Sequence, residues 1–192
     1  MVLYRILGIK YNSPTVNSWI SRKDFFVFCN NLKKYFSYEL EEYKDHQFNY
    51  PAGILKSTSN LPDVCVYFSH ENSFKEAKEK WDRRKTKVNY DNIFVMYDTH
   101  MYCEEMDCYE FENLKYKNKV IFIYDKYKKL VKNNFLFNFY NKEKYNPNIF
   151  FNQSHNFLFN FFNIEEFDYI TWLNTGKIKK NPLFKYKDNT NQ

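Results

Sequence analysis

Glycine is the residue that most constrains this chain, because it occurs only three times in 192 residues. Phosphate-binding loops of the P-loop and Rossmann type depend on several glycines, whose missing side chains let the backbone approach a phosphate closely. The sequence also contains no Walker A, GxGxxG, GxSxG or HExxH pattern. These observations exclude the conventional P-loop and Rossmann nucleotide sites.

Aromatic residues make up 22% of the chain, mostly 21 Phe and 18 Tyr. This much apolar surface can offset the entropy lost on folding, so the sequence predicts a globular protein rather than a disordered one. Phe, Tyr, Lys and Asn are also the residues that an AT-rich genome favours, and we interpret most of the aromatic excess as core packing and codon drift. The net charge of +6 comes from dispersed lysines, which are typical of a solvated surface, and no nucleic-acid partner is predicted.

Apolar patterns predict alternating helices and strands. A stripe of apolar residues predicts a helix from Ser21 to about Phe36, and a second helix is capped at Asn72 or Ser73. A further helix is predicted between Cys103 and Leu114. Short apolar runs predict strands at 63–70, 93–98 and 119–125.

The strand segments look apolar on both faces, which is typical of parallel sheets covered by helices. The predicted fold class is therefore α/β: a single three-layer domain over residues 1–176, with a central, mainly parallel or mixed sheet flanked by helices. Residues 177–192 are predicted to form a polar C-terminal tail. Turns are predicted at Tyr50–Gly53, before Ile54, and at Thr175–Gly176, where the last helix stops.

Neither a membrane span nor an export signal is predicted. No apolar run reaches the roughly 18–20 residues of a transmembrane helix, and the first residues lack the apolar core of a secretory signal. The four cysteines form no CxxC pair, so we expect reduced thiols in the cytoplasm and no zinc site. Cys29 lies in an apolar helical stripe and is predicted to be inert packing.

Two candidate catalytic residues follow predicted strands. Ligands bind beyond the carboxyl ends of strands in open α/β sheets, and His70 and Asp98 fall at such ends. His70 is predicted to act as a general base, with capping of the next helix as the alternative. Asp98 is predicted to orient that base or hold a divalent cation, with an Asx turn as the alternative.

Candidate substrate-binding residues lie in the second helix. Arg83 and Arg84 are two of only four arginines, and Arg84 lies within about 40° of the Trp81 stripe around the helix. A guanidinium there can hold a phosphate or carboxylate in bidentate fashion. Arg83 has a simpler alternative, an i,i+4 pair with Glu79. Trp81 is a candidate substrate-binding residue because it neighbours this pair.

The segment Asn12-Ser13-Pro14-Thr15 is predicted to be an ordered turn, because Pro14 fixes its own φ and restricts Ser13. The side chains of Asn12, Ser13 and Thr15 are candidate substrate ligands. Turn formation alone is the alternative explanation for these residue types.

Several segments resemble the domain-of-unknown-function family 1919, over roughly residues 3–176. The similar segments are Leu7–Val16, Tyr50–Leu55, Ser73–Arg84 and Phe167–Gly176, and the run Lys80-Trp-Asp-Arg-Arg84 is the most specific. The resemblance implies a bacterial protein associated with exopolysaccharide, capsule or lipopolysaccharide synthesis, in a family without an established reaction. An upstream Asn-Asn-Cys-Trp-like segment usual in the family is expected to be missing here, and the family's loop after the central strand is altered to Asp98-Thr-His-Met.

The resemblance implies a cytoplasmic transferase of surface-polysaccharide biosynthesis, acting on an activated sugar or acyl donor and a glycan acceptor. The alternative is a non-catalytic or degenerate module of the same family that binds a glycan or a partner. The sequence indicates no particular cofactor and no metal ligand set, leaves the oligomeric state open, and allows peripheral membrane contact.

Overall fold

The computed structural model describes residues 12–99, 103–136 and 166–182. Contacts along the chain divide it into two compact units, with the boundary between Ile93 and Phe94. Each unit is described by itself. The prediction of one domain over residues 1–176 stays a prediction, and most of the predicted tail (183–192) lies outside the described residues.

The first unit combines three helices with a four-stranded sheet. Its elements in chain order are β1 (Trp19–Ile20), α1 (Arg22–Asn30), α2 (Leu32–Ser37), β2 (Leu40–Glu42), β3 (Ala52–Leu55), β4 (Val64–Tyr67) and α3 (Phe74–Lys85).

Serine caps begin two of these helices, as predicted. The Ser21 hydroxyl accepts a hydrogen bond from the Asp24 amide at 3.1 Å, and the Ser73 hydroxyl accepts one from the Glu76 amide at 3.3 Å. The single helix predicted over 21–36 is two helices, because the chain leaves helical geometry at Asn31 (φ −125°). The Asn31 side chain then donates to the Val27 carbonyl at 3.1 Å, which competes with helix continuation.

The sheet of the first unit is antiparallel throughout, in the order β1-β4-β3-β2. Its core face carries Leu40, Leu55 and Val64, which stand opposite one another in the register and are fully buried. The helices pack on this face through aromatic rings. The Trp81 ring contacts the rings of Phe28, Phe36 and Phe68. The other face is covered by half-buried aromatic side chains, described below.

The second unit contains a parallel sheet in the order β5-β6-β7. Its elements in chain order are β5 (Phe94–Asp98), α4 (Glu105–Asn113), β6 (Asn118–Phe122), a 3-10 helix (Asp125–Leu130), β7 (Asn134–Phe135) and α5 (Tyr169–Thr175). Strands are confirmed at both predicted places, but the one predicted over 119–125 ends at Phe122 because a 3-10 helix begins at Asp125. The helix predicted between Cys103 and Leu114 is also confirmed. Gly176 ends α5 in the left-handed region (φ +72°), also as predicted.

Strand β6 is buried along most of its length and has an unusual member, Lys119. The Lys119 ammonium donates to the carbonyls of Phe111, Glu112 and Leu114 at the end of α4. The Phe111 carbonyl also accepts from the Leu114 amide at 3.2 Å, and the lysine supplies a further donor to the carbonyls at this helix end. Burial lowers the pKa of Lys119.

The mixture of helices and strands agrees with the predicted class, but the sheet arrangement differs. The predicted strand at 63–70 belongs to an antiparallel sheet, and the described strands form two sheets rather than one central sheet. The reason lies in β4, where Val64 and Val66 are buried while Cys65 and Tyr67 are only half-buried. That alternation is typical of an antiparallel strand with one face open, although all four residues are apolar. The three-layer arrangement stays a prediction.

Candidate functional site

The predicted turn at Asn12–Thr15 is an ordered structure. The amide of Val16 donates to the Ser13 carbonyl, and both the amide and the hydroxyl of Ser18 reach the Thr15 carbonyl at 3.0–3.3 Å. The Ser13 and Thr15 hydroxyl oxygens are 2.9 Å apart. The turn therefore holds two hydroxyl groups side by side, while Asn12 is exposed.

Asn17 has φ +66° in the same turn. The left-handed region is sparsely populated by residues other than glycine, although asparagine tolerates it better than most. A conformation of this kind persists only when its surroundings hold it, and such positions cluster at functional sites.

Arg84 supplies part of that restraint. The residue is only 6% exposed, and its Nη1 donates to the carbonyl of Val16 at 3.1 Å. The structure thus brings Arg84 of α3 together with the turn that carries Ser13 and Thr15, all of which are predicted site residues. The contact is to the backbone, so the position of Arg84 explains how the turn is held.

The other two predicted residues of α3 differ in exposure. Arg83 is exposed at the end of the helix, whereas Trp81 has no exposed surface and packs among the core rings. A direct contact between Trp81 and a substrate would require this core to open, and its predicted role in substrate binding stays a prediction.

His70 and Asp98 are both exposed. His70 follows β4 and lies before α3, whose cap is Ser73 rather than His70. Asp98 ends β5, where it stands opposite Phe122 in the parallel register. Because β4 and β5 belong to different sheets, the shared carboxyl edge that led us to group His70 with Asp98 is absent.

Asp98 lies near the half-buried phenol of Tyr169 within the second unit. Burial, and secondarily the negative charge of Asp98, raises the pKa of Tyr169. The next residue, Thr99, is fully buried and its hydroxyl donates to the Phe122 carbonyl at 2.6 Å. Asp98 therefore stands at the end of a strand whose continuation is fixed by hydrogen bonding.

The solvent face of the antiparallel sheet carries a surface that the sequence did not indicate. Six half-buried rings, which we call the aromatic cluster, contact one another there: Trp19, Tyr43, His46, Phe48, Tyr50 and Tyr67. Trp19 stacks on Tyr67 with ring centroids 4.1 Å apart, and Phe48 stacks on Tyr50 at 5.1 Å.

Two shallow grooves border the aromatic cluster and share His46 and Phe48 in their linings. The first groove has a volume of about 500 Å³ and is lined by side chains between residues 42 and 52 and by residues 72–74 at the start of α3. Its rim includes Asn49, Asn72 and Ser73. The first groove is open to solvent and combines aromatic rings with a few polar groups.

Hydrogen bonds fix the polar groups of the cluster. The Trp19 Nε1–H donates to the Tyr50 hydroxyl at 3.2 Å, and the Phe48 amide donates to His46 Nδ1 at 3.3 Å. When the imidazole is neutral, Nδ1 is therefore the acceptor and Nε2 carries the hydrogen. The phenolic hydrogen of Tyr50 and the Nε2–H of His46 are both donors.

Cysteines do not form a disulfide or a metal centre in the part of the chain that the structure describes. All four thiols are free, and no group of three His, Cys, Asp or Glu side chains lies together among these residues. Cys29 is buried in α1, and burial raises its pKa to about 12. This agrees with its predicted role as core packing.

The comparisons with known proteins give a family but no reaction. The profile of a family described as "Domain of unknown function (DUF1919)" matches residues 1–174. An uncharacterised protein of Haemophilus influenzae is 34% identical over 117 residues, which are 61% of this chain and 53% of the relative. The match thus spans about half the length of that relative.

Proposed function

The chain belongs to the DUF1919 family of unknown function, and from this premise we propose that it is a transferase of bacterial surface-polysaccharide assembly. It moves a sugar or an acyl group from an activated donor to a hydroxyl of a glycan acceptor in the cytoplasm. None of the helices in the described part of the chain has both the length and the apolarity that a membrane span requires.

The observation that carries the proposal is the contact between Arg84 and the turn that begins at Asn12. A buried guanidinium holds the Val16 carbonyl at 3.1 Å and so restrains a turn with paired Ser13 and Thr15 hydroxyls. Preorganised polar groups of this kind bind a ligand at low entropic cost. In the proposal Arg84 is a positioning residue, and exposed Arg83 is the cation that donor phosphates reach.

The proposed reaction uses His70 as the general base. The acceptor hydroxyl attacks the donor carbon and forms a new C–O bond, while the bond from that carbon to the phosphate oxygen or thioester sulfur breaks. His70 takes the hydroxyl proton, and the leaving group keeps the electron pair. Asp98 lies in the second unit and has no assigned step in this reaction.

A thermal-shift panel tests the proposal. The purified chain is melted with nucleotide-sugars and acyl-CoAs, and each variant is compared with its own ligand-free melting temperature. A true donor stabilises the wild type by mass action. Arg83→Ala and Arg84→Ala are expected to lose most of that shift, whereas Lys87→Ala, which removes an exposed charge just beyond α3, keeps it. No shift with any donor would contradict the proposal.

The alternative is a non-catalytic glycan-binding module. It is favoured because His70 and Asp98 lie at strands of two different sheets. The sequence grouped these residues through a common sheet edge, and β4 and β5 do not share one. A binding module needs no donor. It predicts a response to oligosaccharides without a response to nucleotide-sugars or acyl-CoAs, so the same panel with oligosaccharides added separates the two functions.

A further inference from the structure

The aromatic cluster is the largest feature of the first unit that the proposed reaction does not use. Its rings cover the sheet face opposite the helices, and most of them come from one short segment, residues 43–50. Rings that served only to fill a core would be buried, as the rings around Trp81 are. These six rings are instead half-buried and border open grooves.

The grooves carry no net positive charge, since the charged side chains that line them are Glu42, Lys44 and Asp45. Residues 41–50 contain Glu41, Glu42 and Asp45 against Lys44, a net charge of −2, in a chain whose net charge is +6. Two of these acids are already engaged at the sheet edge, because Glu41 pairs with Lys56 at 2.5 Å and Glu42 pairs with Lys44 at 3.2 Å. An acidic segment repels phosphates and carboxylates, so it disfavours an anionic ligand.

We propose that the groove beside the aromatic cluster binds an uncharged saccharide. The C–H groups on one face of a pyranose ring pack against an aromatic face, where the ring quadrupole is negative. The sugar hydroxyls then meet the Tyr50 hydroxyl and the His46 Nε2–H, whose orientations are fixed by their contacts with Trp19 and Phe48. The choice of a saccharide rests on the proposed function, and the chain's role would be to hold the acceptor glycan.

Other occupants fit the groove less well. A nucleobase also stacks on aromatic rings, but its attached phosphates require a positively charged groove, and residues 41–50 are acidic. A peptide strand would pair with a free sheet edge, whereas the first groove is lined mainly by the loop between β2 and β3 and by residues 72–74. Charge and geometry together select a neutral ligand with a flat apolar face and many hydroxyls.

Binding is measured on the whole chain without any donor. The probes are uncharged hexasaccharides of glucose, galactose and N-acetylglucosamine, with a uronic-acid hexasaccharide and a nucleoside monophosphate as anionic comparisons. Tryptophan fluorescence reports the titration, because Trp19 lies in the cluster while Trp81 and Trp172 are buried in the cores. At least one uncharged probe is expected to change the fluorescence with saturation, and the anionic probes are not.

Two variants and a matched control locate the site. Tyr43→Ala and His46→Ala are expected to weaken saccharide binding at least fivefold, because each removes a ring that lines the groove. Tyr90→Ala removes an exposed ring of the same unit that lies outside either groove and is expected to bind as the wild type does. Binding that is equal in all three variants, or tight only for the anionic probes, overturns the proposal.

A measurement on the wild type avoids dependence on variant folding. Diethyl pyrocarbonate modifies accessible imidazoles, and mass spectrometry reads each histidine separately. Saturating saccharide is expected to protect His46 more strongly than exposed His70, which lines neither groove. Protection of His70 alone, or of neither residue, contradicts the assigned site.

The outcomes separate this inference from the transferase proposal. Saccharide binding with no donor-induced shift in melting temperature supports the groove and contradicts the transferase. A donor shift that depends on Arg84, with no saccharide binding, supports the transferase and removes the groove as a saccharide site.

Discussion

The two sheets of this protein differ in how far they are exposed to solvent. The antiparallel sheet of the first unit packs one face on helices and leaves the other to half-buried rings and open grooves. In the parallel sheet of the second unit, β6 is buried from Lys119 to Phe122. A sheet face that meets solvent can offer its polar groups to a ligand, whereas a buried strand has to satisfy its polar groups within the fold.

The largest expected loss of stability belongs to a comparison of one aromatic side chain from each sheet. Phe122 is 2% exposed and contacts Phe135 and Phe167 edge to face. Phe122→Ala is expected to lower the free energy of unfolding by about 3–5 kcal/mol, because it leaves a cavity in a closed core. Urea unfolding followed by circular dichroism measures the loss.

The counterpart is Tyr67→Ala, in the aromatic cluster. The Tyr67 ring is half-buried and stacks on Trp19, so its removal opens a surface rather than an internal cavity. The expected loss is below about 2 kcal/mol. Equal losses for Phe122→Ala and Tyr67→Ala would show that the face with the grooves is as closed as the parallel sheet.

An effect smaller than that of Phe122→Ala is expected at Lys119, whose charge is hydrogen-bonded within the fold. Lys119→Met keeps the aliphatic length but removes the donor to three carbonyls at the end of α4. The expected loss of stability is about 2–3 kcal/mol, because these carbonyls lose the buried ammonium as a donor. Hydrogen exchange of the α4 peptides is expected to accelerate more than that of the α3 peptides, and equal acceleration would argue against a local capping role.

The smallest expected effect depends on pH. Asp168 caps α5 by accepting from the Thr171 amide at 2.9 Å, and this hydrogen bond, with Lys179 nearby, lowers the pKa of Asp168 below its usual 3.8. A carboxylate with a lowered folded-state pKa stabilises the fold above its unfolded pKa, and the stabilisation is lost as the pH falls through the folded value.

Asp168→Asn keeps a capping oxygen without the charge. At pH 7 the variant is expected to be less stable than the wild type by about 0.5–1 kcal/mol. The difference is expected to shrink as the pH falls below 3.8, since the wild-type carboxyl then takes up a proton. Urea midpoints at several pH values measure it, and a difference that is constant with pH would contradict the role of the charge.

Local signals made much of the fold predictable. Ser21, Ser73 and Gly176 act at helix ends as their chemistry indicates, and the paired strands β5 and β6 were identified from short apolar runs. The antiparallel sheet was missed because β4 is apolar at every position, so its alternating burial is invisible in the sequence. Gly53 was interpreted as part of a turn, but it lies in β3, where an added Cβ would meet buried Leu40 at 2.6 Å.

The candidate site was only partly predictable. The contact of Arg84 with the turn agrees with the choice of a scarce residue beside a packed helical stripe. The aromatic cluster was missed because its rings were attributed to packing and codon drift, and because contacts such as Trp19 with Tyr67 join distant parts of the chain. The available signal was local: an acidic segment rich in rings within a basic chain.

Each unit also contains its own buried thiol, Cys29 in the first and Cys108 in the second. A thiolate-specific reagent reaches such a group only when its surroundings open, since burial raises the pKa of both thiols. Pulsed alkylation read by mass spectrometry therefore times the opening of each half of the native chain separately.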